Sequence, residues 1–168
     1  SLTEDDIQTI KAIAKKRNEA KDPHIRYTDV GWISPDDTDT GLRHIVGLAG
    51  EYAFSKLTGL PYDDSITKGG DKSDFTVTIG KREAKIDVKT TLTKERDMFI
   101  KPRDLLKSDI FVYCYLDMKR WWVEFYGKAN RGIITAMGEK KMIKSRETYV
   151  LPIRYLEPFK WEYCQFFS

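Results

Sequence analysis

The segment from Gly69 to Thr91, GGDKSDFTVTIGKREAKIDVKTT, leaves little freedom in how it folds. From Ser73 to Ile79 the residues alternate. Phe75, Val77 and Ile79 point one way, and Asp74, Thr76 and Thr78 the other. The alternation resumes from Glu83 to Thr91, with Ala84, Ile86 and Val88 on the apolar side and Glu83, Lys85, Asp87 and Lys89 on the polar side. Gly80-Lys81 stands between the two runs. A two-residue loop with glycine first predicts a type II′ hairpin turn. That turn fixes the register: Ile79 faces Arg82, Val77 faces Ala84 and Phe75 faces Ile86. A slip by one residue would oppose polar to apolar side chains throughout.

Carried one step outward, the same register sets Asp74 against Asp87, with Lys89 two residues along the same face. Directly opposed residues lie about 4.5–5.5 Å apart at Cβ, where like charges destabilise a hairpin. A divalent cation between the two carboxylates would remove the conflict, and Mg²⁺ is commonly held by one or two carboxylates and several waters. The plain alternative is an amphipathic hairpin with a solvated polar face.

Ser73-Asp74, a hairpin, then Asp87-Val88-Lys89 resembles the PD-(D/E)XK nuclease superfamily, which includes restriction endonucleases and Holliday-junction-resolvase-like enzymes. Ser73 stands where the motif has proline, and Asp87 fills the variable acid position. The resemblance covers roughly residues 41–127. It implies an α/β fold with a mixed central β-sheet flanked by helices. It also implies an acid on the helix before the hairpin, a role that falls to Glu51. By the same resemblance Glu51, Asp74 and Asp87 bind one or two divalent metals, with the Val88 carbonyl as a possible further ligand, and Lys89 orients or helps deprotonate the attacking water and stabilises the developing charge. The implied cofactor is Mg²⁺, with Mn²⁺ as a substitute, since all the ligands are oxygens. The implied activity is a metal-dependent DNA endonuclease leaving a 5′-phosphate. A nucleic-acid-binding or regulatory module that keeps the fold without cutting is the alternative.

Glu51 lies in GLRHIVGLAGEYAFSKLT, which predicts a helix from Gly41 to Thr58, closed by Gly59 and Pro61. Leu42, Ile45, Val46, Ala49, Ala53, Phe54 and Leu57 give it a broad apolar surface, and His44, Gly47, Glu51 and Ser55 share a face. Gly47 and Gly50 each weaken a helix by ~1 kcal/mol relative to alanine, so they point to close approach by another backbone. His44, Ser55 and Asp71 form a second rank of site candidates.

With 168 residues, 40% of them hydrophobic and 33% charged, the chain suits one globular domain. Its parts are an N-terminal helix and irregular extension (1–40), the core (41–127) and a basic segment with an aromatic tail (128–168). No apolar run approaches the ~20 residues of a membrane span, and the expected compartment is the cytoplasm. Cys114 and Cys164 suggest neither a disulfide framework nor a zinc site. A net charge of +3 is too small to mark a nucleic-acid binder by itself. Local clusters matter more: Lys94, Arg96, Lys101 and Arg103 follow the Asp87–Lys89 strand, and Lys128 and Arg131 begin a late basic group that runs to Arg146. These are the expected DNA contacts.

Further elements are expected at Thr3 to Ala20 (a helix packed on the outside of the sheet), Leu60 to Thr67 (an edge strand), Pro102 to Lys107 (a short helix), Asp109 to Asp117 (a doubly covered strand), Arg120 to Tyr126 (a strand) and Tyr149 to Ile153 (a short strand). Gly127 to Met137 reads as helix or loop. Tyr27 and Trp32 either pin a loop or stack on bases. The aromatic tail either docks on the domain or makes a homodimer contact.

Overall fold

A computed structural model describes residues 1–21, 40–62 and 73–158. Asp71, Tyr27, Trp32, most of the expected strand at 60–67 and the aromatic tail beyond 158 lie outside the described residues; positions 60–62 are not in a strand. The elements run α1 (Glu4–Lys21), α2 (Thr40–Thr58), β1 (Phe75–Ile79), β2 (Arg82–Thr91), β3 (Met98–Ile100), α3 (Pro102–Lys107), β4 (Ile110–Asp117), β5 (Trp122–Asn130), α4 (Arg131–Met137), β6 (Glu139–Ile143) and β7 (Arg146–Leu151), with a 3₁₀ turn at Ile153–Tyr155.

The architecture is mixed α/β, with two sheets in place of the single one expected. The larger has the order β1-β2-β4-β5 and the smaller β3-β7-β6. The larger is mixed: β1–β2 and β4–β5 are antiparallel, and β2–β4 is parallel. The hairpin register is the one expected, with Phe75 opposite Ile86, Val77 opposite Ala84 and Ile79 opposite Arg82. Gly80 supplies the left-handed turn residue at φ +64° while Lys81 keeps a negative φ, as a II′ turn demands.

The larger sheet is covered on both faces. On one, Ile86, Val88, Val112 and Cys114 pack with Phe75 and Val77 against Phe54 of α2. On the other, Phe111 and Tyr113 of β4 pack against Met98, Ile100 and Leu151 of the smaller sheet and Ile134 of α4. β4 is therefore the buried central strand that its uniformly apolar sequence predicts. Gly50 marks where α2 crosses the sheet: a Cβ there would fall 2.0 Å from Thr90 Oγ1 and 3.0 Å from Cys114 Sγ. The close approach expected at this glycine is real, but side chains make it, not backbone.

α1 departs from its expected place. It packs on α2, with Ile7, Ile10 and Ala14 joining Leu42, Ile45 and Ala49 in a core that also takes in Leu116 of β4. Its start is a reciprocal cap, in which Thr3 N donates to Asp6 Oδ2 at 2.7 Å and Asp6 N to Thr3 Oγ1 at 3.3 Å. Lys56 Nζ, 2.7 Å from Asp6 Oδ2, ties this cap to α2. Burial pushes the Asp6 carboxyl up, but Lys56 and the Thr3 donors bring it to about 2.

β5 runs on to Asn130, past its expected end at Tyr126. Its register against β4 shifts between Tyr113 and Cys114, where Gly127 at φ +144° lets the strand bulge and continue. Only Arg131–Met137 of the segment after it is helix, capped by Asn130, which accepts from Ile133 N. β6 was not expected at all, and β7 pairs with both it and β3.

Candidate active site

β2 is twice as long as its antiparallel neighbour. β1 begins at Phe75, opposite Ile86, so among the described residues positions 87–91 pair only with β4 and their other edge takes no strand. The residue just before β1 folds back to close the first step of that gap: Asp74 Oδ2 accepts from Val88 N at 2.7 Å. A strand residue turns its N–H and C=O to the same side, so the Val88 carbonyl also points to that edge.

This edge lines a cleft of about 1010 Å³, walled by α2 on one side and by the β6–β7 hairpin on another. Glu51, Asp74, Asp87, Val88 and Lys89 all line it. Lys89 Nζ lies 2.6 Å from Asp87 Oδ2 and 3.1 Å from Asp104 Oδ2. Glu51 Oε2 lies 3.7 Å from Arg17 Nη1. The Glu51 and Asp87 side chains are only 16% and 17% exposed, too enclosed for water to screen one charge from the next.

The electrostatics follow from this crowding. Burial, then the charges of Glu51 and Asp87, push the Asp74 carboxyl well above the usual range, although the Val88 N–H opposes them. Burial also raises Glu51, against the pull of Arg17. Lys89 goes the other way. Burial disfavours its charge, but Asp87 and Asp104 outweigh it, and the ammonium is held more firmly than in free lysine. The carboxylates thus lack enough positive charge among themselves to ionise together comfortably.

The donor set fits a hard cation in part. Asp87 Oδ2 is buried, and the Lys89 ammonium 2.6 Å away is its nearest counter-charge. This buried carboxylate, beside a second one and the Val88 carbonyl, matches the one or two carboxylates that Mg²⁺ commonly takes. Among the described residues, however, no three of His, Cys, Asp or Glu are already arranged around a common point. Asp74 Oδ2 serves Val88 N, and Glu51 leans toward Arg17.

Other candidates separate clearly. Arg96 and Lys101 line the cleft, while Lys94 and Arg103 do not; Arg103 is exposed and reaches Asp104 at 3.6 Å. Ser55 Oγ donates to Leu60 O at 2.6 Å, securing the end of α2. His44 is half-buried, and its neighbour Arg43 lines the cleft in its stead. Arg131 holds α4 to the α3–β4 junction through Ser108 O at 2.7 Å and Asp109 Oδ1 at 3.0 Å. The Lys128 backbone bridges to Glu157. Neither residue lines the cleft.

Two residues of the site were not anticipated. Asp104 follows Pro102 in the first turn of the helix after the site strand, and that placement was a usable signal. Arg17 meets Glu51 only because α1 packs on α2, and nothing in the local sequence shows it. Arg43, Lys144 and Arg146 also line the cleft. With Arg96 and Lys101 they make five cleft-lining cations that form no ion pair among the described residues.

No helix among the described residues is long and apolar enough to cross a membrane. No protein-family model matches this chain, and no curated protein is significantly similar to it in sequence.

Proposed function

We propose that the chain is a metal-dependent DNA endonuclease with a restriction-endonuclease-like core. The observation that carries this reading is that Asp74, Asp87 and Lys89 of the hairpin and Glu51 of α2 line one cleft together with five cations that form no ion pair among the described residues. A polyanionic substrate satisfies those cations. A carboxylate cluster at their centre would repel the same substrate unless a divalent cation were bound. Asp74, Asp87 and the Val88 carbonyl would hold Mg²⁺ or Mn²⁺, with Glu51 joining once released from Arg17. When bound, the ion lowers the pKa of a water and balances charge on a phosphate.

The chain's own residues do the rest. Lys89, held charged by Asp87 and Asp104, donates to the attacking water or to a phosphate oxygen. Arg96 and Lys101 grip the backbone phosphates on either side. Burial and then Arg103 lower the Lys101 ammonium, so an anion beside it would be welcome. Hydrolysis adds the water oxygen to phosphorus and breaks the bond to the 3′ sugar oxygen; the water gives up a proton to solvent and the departing 3′ oxygen takes one from solvent, leaving the phosphate on the 5′ side as the family resemblance implies.

The absence of a ready-made three-ligand arrangement among the described residues favours one other reading, a module that binds nucleic acid without cutting. The test is to incubate the protein with supercoiled plasmid, linear duplex, single-stranded DNA, a four-way junction and RNA, in Mg²⁺, Mn²⁺ or EDTA. Cleavage of DNA that needs the metal supports the nuclease. Salt-sensitive binding without cleavage of any substrate supports the binding module.

A further inference from the structure

The β6–β7 hairpin does something the core does not require. β3 pairs with β7 only at Tyr149–Leu151, whereas β6 pairs with it from Arg146 to Val150. Among the described residues the distal end is therefore a two-stranded ribbon with no third strand beside it. Its residues 141–147 are exposed, apart from half-buried Ile143, and Met142 is 69% exposed. Packing does not explain the arm.

Its charges are sorted along its length. Near the base, Lys140 pairs with Glu147 across the strands at 3.2 Å, and Lys141 pairs with Glu139 at 2.9 Å. At the tip, Lys144 and Arg146 have no carboxylate partner among the described residues, and both line the cleft that holds Asp74 and Asp87. The turn itself is tightly specified. Lys144 (φ +47°) and Ser145 (φ +62°) are both left-handed, the pattern of a type I′ turn, which normally selects Asn-Gly. Keeping lysine at a strained position is a mark of functional sites.

We infer that this hairpin is a groove-entering arm: it inserts its Lys144–Arg146 tip into the major groove of duplex DNA next to the phosphate held in the cleft. This rests on the nuclease reading and narrows its substrate to double strands. The geometry selects the groove. A two-stranded ribbon fits the major groove of B-DNA, about 12 Å wide, and not the minor groove, about 6 Å wide. A tip carrying lysine and arginine meets phosphates at the groove mouth and guanine edges at its floor.

The test is fluorescence anisotropy with a labelled 20-base-pair duplex and its single strand over a range of salt. The proteins are Asp87→Asn in Mg²⁺, so that nothing is cut, and the same chain carrying Lys144→Ala and Arg146→Ala. A second variant, Lys144→Asn with Ser145→Gly, keeps the turn and guards against a folding artefact. The expected result is duplex binding weakened about tenfold or more in the double alanine variant, with the slope of log K against log salt smaller by about 1.8 for two lost contacts. Single-strand binding should change less than about twofold, since the lost phosphate contacts lie on the duplex. A duplex bearing glucosylated 5-hydroxymethylcytosine, which fills the major groove, should bind Asp87→Asn poorly and discriminate little against the arm variants. If the arm variants keep the full duplex affinity and slope, or the filled groove changes nothing, the arm proposal is wrong and the nuclease reading stands. If neither probe binds Asp87→Asn in Mg²⁺ or the wild type in EDTA, the nuclease reading falls, and the arm with it.

Discussion

The two hairpins of this protein are built to opposite rules. β1–β2 buries one face: Phe75, Val77, Ile86 and Val88 are all 5% exposed or less, and the polar face carries the candidate chemistry. β6–β7 buries neither face beyond its base. The first turns on a glycine that relieves strain, and the second on a lysine and a serine that carry it. Burial fixes the first hairpin firmly enough to crowd carboxylates that repel one another. The second gives up that support and gains reach. A hairpin buried on one face and a hairpin exposed on both are held in place by different means, and the exposure patterns record that difference.

The largest expected effect that separates them is on stability. Phe75, whose ring lies 5.0 Å from that of Phe54, should cost about 3–5 kcal/mol when replaced by alanine. Met142→Ala, on the exposed arm, should stay within about 0.5 kcal/mol. Urea unfolding of the two variants checks this, and similar losses would break the distinction.

The second effect is on pH and metal dependence, confined to the first hairpin. Asp74 and Glu51 titrate higher in the folded chain than their ordinary 3.8 and 4.5. The folded state therefore binds protons more tightly. The stability these groups contribute is present below those ordinary values and is lost as pH rises through the raised ones. Without metal, the melting temperature should fall as pH is raised from below those ordinary values through the raised ones, and Asp74→Asn should blunt the fall while keeping an acceptor for Val88 N. Mg²⁺ should raise the melting temperature more at neutral than at acidic pH, because binding must displace protons. Thermal melts at several pH values, with Mg²⁺ or EDTA, provide the measurement.

Smaller effects come from the turns. Gly80→Ala should destabilise by ~1 kcal/mol, since alanine at φ +64° meets the left-handed penalty. Ser145→Gly should do the reverse, by at most ~1 kcal/mol. Opposite signs in a paired unfolding experiment would sharpen the contrast.

The same difference explains what could be read from the sequence. The register of β1–β2 was legible because one buried face forces alternation, and α2 was legible within one residue because its apolar stripe ends at Gly59. β6 was not, because Glu-Lys-Lys-Met-Ile has no face to bury and so shows no period. The site divides likewise. Asp74, Asp87 and Lys89 lie in or beside one local hairpin and so were legible as neighbours, but Asp74 leaves the ladder before it can oppose Asp87 and accepts from Val88 N instead. Arg17 and Glu51 meet only through helix packing, and Lys144 and Arg146 reach the cleft only through the pairing of β7 with β3. The register between sequence-distant elements is what single-sequence periodicity does not encode.

The central claim is that Asp87 sits where a phosphodiester is cut. Its most direct test measures binding and cleavage of one labelled duplex together, for wild type and Asp87→Asn in Mg²⁺. The account predicts that the variant binds as well as or better than wild type, while its cleavage falls by about 10³-fold or more, ~4 kcal/mol of barrier at 1.36 kcal/mol per tenfold. Cleavage by Asp87→Asn at the wild-type rate, or binding by the wild type with no metal-dependent cleavage, would contradict it.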